Sequence, residues 1–99
     1  MKLSFHPGVQ SDVNAILAYY HEQGGEPLAD RFYHDLTARF QDILKNPRRY
    51  PFYLGNPIKR RVRLHRFPYL ILYRILPDRV RITVVKHEKR NPAYGLGRR

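Results

Sequence analysis

Apolar residues recur at helical spacing from Val9 to Leu44 and alternate from Arg61 to Val84, so the chain changes its structural period once. That change limits the folds open to it. Val9, Val13, Ile16, Leu17 and Tyr20 make one helical stripe, with Gln10, Asp12, Asn14 and Glu22 expected to face away. Pro7 falls at a first helical position and Gly24-Gly25 ends the run. Pro27 opens a second stripe of Leu28, Ala29, Phe32, Leu36, Phe40, Ile43 and Leu44, which Asn46-Pro47 stops. Two helices joined by a glycine turn predict an antiparallel hairpin. Ahead of them, alternating Leu3 and Phe5 predict a short strand over residues 2–5.

The change of period falls in residues 47–57, where three prolines and Gly55 surround Tyr50, Phe52 and Tyr53. An ordered loop pinned by its aromatics is expected there. Arg61, Arg63 and His65 then alternate with Val62 and Leu64, and Phe67-Pro68 breaks that strand. Tyr69 to Leu76 is almost continuously apolar, as a central strand is. After a turn at Pro77-Asp78, Val80, Ile82 and Val84 alternate with Arg81 and Thr83. The order β-α-α-β-β-β implies an α+β fold with the hairpin on one face of a mainly antiparallel sheet. Leu3, Val13, Ile16, Leu17, Leu28, Phe32, Leu36, Phe40, Ile71, Tyr73, Ile82 and Val84 are the expected core. Strict alternation leaves Arg61, Arg63, His65, Leu70, Leu72, Arg74, Arg81, Thr83, Val85 and His87 on the other face, a cationic surface around an apolar floor. Ninety-nine residues read as one domain, 1–99, in which 88–99 form a basic C-terminal tail with little structure of its own.

Charge is segregated along the chain. Residues 1–44 carry Lys2, Arg31 and Arg39 against six carboxylates, whereas residues 45–99 carry sixteen cations against Asp78 and Glu88 alone. Most of those cations are Arg, whose planar fork pairs phosphate or carboxylate in a bidentate manner. An Arg-rich half of this kind points to a nucleic acid or an acidic protein as partner. With no Cys there is no disulfide and no thiolate metal site, and a reducing cytoplasm is the expected location. No apolar run suits a signal peptide or a membrane span.

The five histidines, His6, His21, His34, His65 and His87, have no metal-ligand spacing, and neither a metal nor a cofactor is expected. Arg and His together suit one metal-free reaction, cleavage of RNA through its 2′-hydroxyl. His65 or His87 would move the protons, and Arg61, Arg63, Arg74 or Arg81 would hold the phosphate. The same face would equally serve a binding module for RNA, or docking onto an acidic protein, without any catalysis. From the residues alone these uses remain open.

Several local patterns add to the element order. They are His6-Pro7 before an amphipathic helix, Lys45-Asn46-Pro47, Tyr50-Pro51 and Arg60-Arg61. They continue with the run from Phe67-Pro68-Tyr69 to Arg74 and the ending from Val85 to Pro92, which contains His87-Glu88-Lys89-Arg90-Asn91-Pro92. With these the chain resembles the RelE/ParE toxins of bacterial type II toxin–antitoxin pairs over nearly its whole length. The resemblance implies a toxin neutralised by a cognate antitoxin, with one of two targets. RelE-like members cut messenger RNA on the ribosome, and ParE-like members poison DNA gyrase without nuclease activity. RelE-like nucleases carry an Arg early in the strand that ends here at Tyr73, where this chain has Leu70, and they end soon after the last strand on a catalytic Tyr or His. Here Arg90-Asn91-Pro92 follows His87, and Tyr94 is the tail's one aromatic. The resemblance therefore favours the ParE side, with Arg90 and Tyr94 as target contacts. Arg61, Arg63, Leu70, Leu72, Arg74 and Arg81 are then the expected surface for the antitoxin or a phosphate. The nuclease alternative would rest on His65, His87, Arg61, Arg74 and Arg81.

Overall fold

The computed structural model describes all of residues 1–99 and orders them as β1 (Lys2–Phe5), α1 (Pro7–Lys45), β2 (Arg60–Arg63), β3 (Tyr69–Ile75) and β4 (Arg79–His87). A straight helix of α1's 39 residues would run about 58 Å. The molecule measures only 39 Å along its longest axis, so α1 has to fold back on itself. It does so at Gly24 and Gly25, where helical geometry is lost and Gly25 takes a φ of 70°. That left-handed conformation is one that glycine adopts at little cost. The two arms, residues 7–23 and 26–45, lie antiparallel, as shown by Tyr20 against Phe32 near the turn and Phe5 against Phe40 at the far end. Pro7 occupies the first helical turn, and the Nδ1 of His6 caps the helix by accepting from the Gly8 N–H at 2.9 Å.

The sheet order is β1-β4-β3-β2. β1 runs parallel to β4, while β4/β3 and β3/β2 are antiparallel, which makes the sheet mixed. The hairpin covers one face. Val9, Val13, Ile16, Phe32, Leu36, Phe40 and Ile43 from the helix meet Val62, Ile71, Tyr73, Val80, Ile82 and Val85 from the sheet. Leu3 and Leu17 pack on this core while half-buried, and Leu28 lies half-buried beside the turn. At one end Tyr20, Phe32, Phe67 and Tyr69 form an aromatic knot, with ring centroids 5.0 Å apart for Tyr20 and Phe67 and 5.4 Å for Phe32 and Tyr69. The Tyr73 hydroxyl donates to the Pro47 carbonyl and ties down the loop that follows the helix. Burial pushes that hydroxyl's pKa up to about 12.

Strict alternation fails at one place. In β4, Leu72 faces Val84 but Tyr73 faces Ile82, so Thr83 is an extra residue in the ladder. A bulge of this kind flips the phase of everything after it. Val84, expected under the helices, therefore lies on the opposite face, while Val85 and His87 turn to the helix side. Val85 joins the main core, and His87 packs edge-on against Tyr69 at 5.2 Å. Lys86 takes a place on the second face across from Leu70.

Phe32 is fully buried where the aromatic knot joins the main core. Its replacement by Ala should cost about 3–5 kcal/mol in chemical denaturation, most of it from the cavity left behind.

Candidate functional site

β1 ends before β4 does. The last bond on that side is the His6 N–H to the Ile82 carbonyl at 2.9 Å, after which the chain turns away into α1. The outer edge of β4 beyond Ile82 would otherwise present unpaired polar groups. Side chains complete it. Asp12, on the first helical arm and only 7% exposed, accepts from the Val85 N–H at 3.1 Å, and Arg98 donates to the Thr83 carbonyl at 3.1 Å. Arg98 also forks onto the Asp12 carboxylate at 2.7 and 3.3 Å, and the Tyr94 hydroxyl donates to the same carboxylate at 2.6 Å. One buried anion thus joins the helix, the strand edge and the end of the chain.

Residues 88–99, expected to be a loose tail, are folded back across the second sheet face. Tyr94 and Leu96 pack on Tyr53, Leu70, Leu72 and Val84 to form a smaller core. Gly95 permits this close approach, since it has a φ of 76° and a Cβ there would lie 2.5 Å from a methyl of Val84. The ammonium of Lys86, itself buried, donates to the carbonyls of Pro92 and Tyr94 at 3.0 and 3.1 Å and stands 4.8 Å over the Tyr53 ring. Lys59, 4% exposed, donates to the Arg98 carbonyl, and Arg81 donates to that of Arg99 at 3.2 Å. The sheet has two covered faces. Asp12, expected to face away, is what closes the second one.

This arrangement redistributes the site residues expected from sequence. Arg61 and Arg63 are exposed on edge strand β2, where Arg63 pairs with Glu88 at 2.8 Å. Leu70 and Leu72, directly across from them, are buried under the tail at 7% and 0% exposure, so no ligand reaches them while the tail is in place. Arg74 and Arg81 face each other across β3 and β4 at the opposite end of the sheet from His87. His65 leaves that surface altogether, since its ring lies 3.6 Å from Asp42 and its backbone N–H donates to Asp35. Arg90 is exposed and stacks 4.0 Å over Tyr94. Arg90, Tyr94, His87 and Tyr19 line a groove of about 230 Å³ between the first helical arm and the tail, and Asp12 also contributes to its wall.

Five contributors escape the sequence reading: His6, Asp12, Lys59, Lys86 and Arg98. Burial first, then the charges of Arg98, Arg81 and Lys59, hold the His6 imidazole below its usual pKa. A neutral ring is also what its cap requires, because Nδ1 accepts a bond. A signal for the bulge was present in Val84-Val85, two adjacent β-branched residues where alternation demands one.

A helical hairpin on a four-stranded mixed sheet, with a basic C-terminal segment laid over the second face, defines a small α+β class of protein. The family model described as "ParE toxin of type II toxin-antitoxin system, parDE" matches residues 3–92. The chain belongs to this ParE toxin family. A solved chain from the chromosomal ParDE TA system of P. aeruginosa superimposes with a TM-score of 0.79 at 18% identity, over 88% of this chain and 95% of that one, a likeness of fold. No curated protein matches the sequence.

The sign of the His6 shift sets a pH dependence. Its folded-state pKa is depressed, so as pH falls below about 6.5 the unfolded chain takes up a proton that the folded chain resists. Stability should decline between pH 7 and about 5, before the carboxylates titrate. In His6→Asn, which keeps a capping acceptor but cannot ionise, thermal melts should lose most of that slope.

Proposed function

We propose that this ParE-family chain inhibits DNA gyrase, has no nuclease activity of its own, and is held inactive in the cytoplasm by a cognate antitoxin. The family supports the toxin class. The choice of target rests on one observation, the separation of His87 from the Arg74 and Arg81 clamps, while Arg63, at the same end of the sheet as His87, is paired with Glu88. Cleaving RNA without a metal requires a base, an acid and a cationic clamp all within about 3 Å of the reacting atoms. His87 pairs with Tyr69 on the helix side, and Arg74 lies five residues further along β3 on the other face. That is about 16 Å of strand. His65 is engaged with Asp42.

The ledge of residues 88–93 is exposed yet anchored, with Arg90 presented over Tyr94. A preorganised cation on a fixed ring loses little entropy on binding, which suits a hot spot on a large protein target. The antitoxin would reach a different part of the surface. Arg61 and Arg63 stand on the free side chains of β2, where acidic residues of a partner can compete with Glu88 and speed association. Apolar anchors beside Leu70 and Leu72 would first have to lift the tail.

Purified gyrase and a ribosome-dependent messenger cleavage assay test this reading side by side. The protein should inhibit supercoiling and leave messenger RNA intact. Arg90→Ala should weaken inhibition about tenfold or more with an unchanged melting temperature. A point substitution is preferable to removing residues 90–99, because truncation would uncover Leu70 and Leu72 and strip Asp12 of Tyr94 and Arg98. Codon-specific messenger fragments that vanish in His65→Ala or His87→Ala would replace gyrase with RNA as the target.

A further inference from the structure

The loop before β2, the far end of β3 and the last residues of the chain enclose a cavity of about 380 Å³. Its polar lining is Asn56, Lys59, Arg74, Arg98 and Arg99, with no Asp or Glu among the lining residues. Arg98 is neutralised by Asp12 at 2.7 Å. Lys59, Arg74 and Arg99 pair with no Asp or Glu side chain. Arg74 also stands directly across from Arg81, a like-charge pairing that costs stability in a sheet.

Two details show the strain of this grouping. The Nε of Arg74 is the one buried side-chain polar atom in the protein without a hydrogen bond. A buried donor left without an acceptor is costly, and such groups are rare in native proteins. The Lys59 ammonium is buried with a single bond to the Arg98 carbonyl. Burial, Arg74 and Arg98 together push its pKa down to about 8. A second cavity of about 300 Å³ lies against the other side of Arg74, lined by Arg48, Arg60 and Phe52, again without a carboxylate. Arg74 is thus shared by two cationic pockets.

We propose that the pocket of Lys59, Arg74 and Arg99 is a phosphate-binding site, in which Arg74 donates its unpaired Nε–H to a phosphoryl oxygen. Phosphate suits it better than a carboxylate does. A phosphomonoester carries about −1.5 to −2 at neutral pH and offers three acceptor oxygens, against one charge and two oxygens for a carboxylate. The guanidinium fork matches either geometry, but only the larger charge approaches compensation of three cations. The phosphoryl group can belong to a free nucleotide or to a nucleic-acid backbone that continues past Arg74 towards Arg60 and Phe52. The site goes beyond the gyrase reading and does not depend on it.

The test uses the full chain and inorganic pyrophosphate at constant ionic strength, with the Arg Nε–Hε signals followed by NMR. The Arg74 signal should shift saturably, and Arg74→Lys and Lys59→Met should each weaken binding about tenfold or more. Arg99→Ala, at an exposed position that cannot disturb folding much, should weaken it in the same direction. Arg66→Ala, beyond the site, should leave it unchanged. A nucleoside triphosphate and a short single-stranded oligonucleotide then distinguish the sources, and the tighter of the two names the physiological one. A shift that does not saturate would overturn the proposal. So would equal binding by all the variants, or an acidic peptide that binds there more tightly than pyrophosphate.

Discussion

A single buried carboxylate holds three parts of this protein together. Asp12 lies on the first helical arm, yet it caps the edge of β4 through the Val85 N–H and receives Tyr94 and Arg98 from the end of the chain. The need arises because β1 is four residues long and β4 is nine, so the longer strand outruns its neighbour. Unpaired backbone groups on a buried edge have to be satisfied somehow. Here a helical side chain and a C-terminal side chain share the task, and their opposite charges satisfy each other as well. Breaking a buried ion pair by removing one partner is far costlier than never having built it, so the cluster makes the position of the tail an all-or-none matter.

The tail is then part of the fold and part of the candidate functional surface. Its inner residues, Tyr94 and Leu96, complete the second core, and its outer residues, from Glu88 to Ala93, form the ledge that carries Arg90. Lys86 and Lys59 act as internal posts that bind backbone carbonyls of the tail. The strongly basic half of the chain therefore divides by use. Some cations are consumed in holding structure, others stand exposed on β2 and the ledge, and a third group gathers around Arg74 without counter-charges.

Most of the architecture was legible in sequence because it depends on local periodicity. The stripes of the two helical arms, the Gly24-Gly25 turn, the Asn46-Pro47 stop and the first strand each follow from spacing or backbone chemistry within a few residues. The faces of β4 were misread because one extra residue, Thr83, reverses the alternation, and a bulge is a property of pairing with β3. The tail was misread for a related reason. Its twelve residues contain few apolar groups, and their order comes from Asp12, Lys59 and Lys86, which are distant in sequence. Asp12 itself sits off the apolar stripe, where carboxylates are ordinarily solvated. Long-range polar pairing leaves no periodic trace.

The clamp through Asp12 is what fixes the tail on the sheet. Residue-resolved amide hydrogen exchange on the free protein tests this directly. The N–H groups of Tyr94, Leu96 and Arg98, bonded to the carbonyls of Asn91, Ala93 and Gly95, should exchange slowly, together with that of Val85. Asp12→Asn should speed all four while the amides of β3 remain protected. Exchange of the tail amides at unfolded-chain rates, with Val85 still protected, would contradict the account.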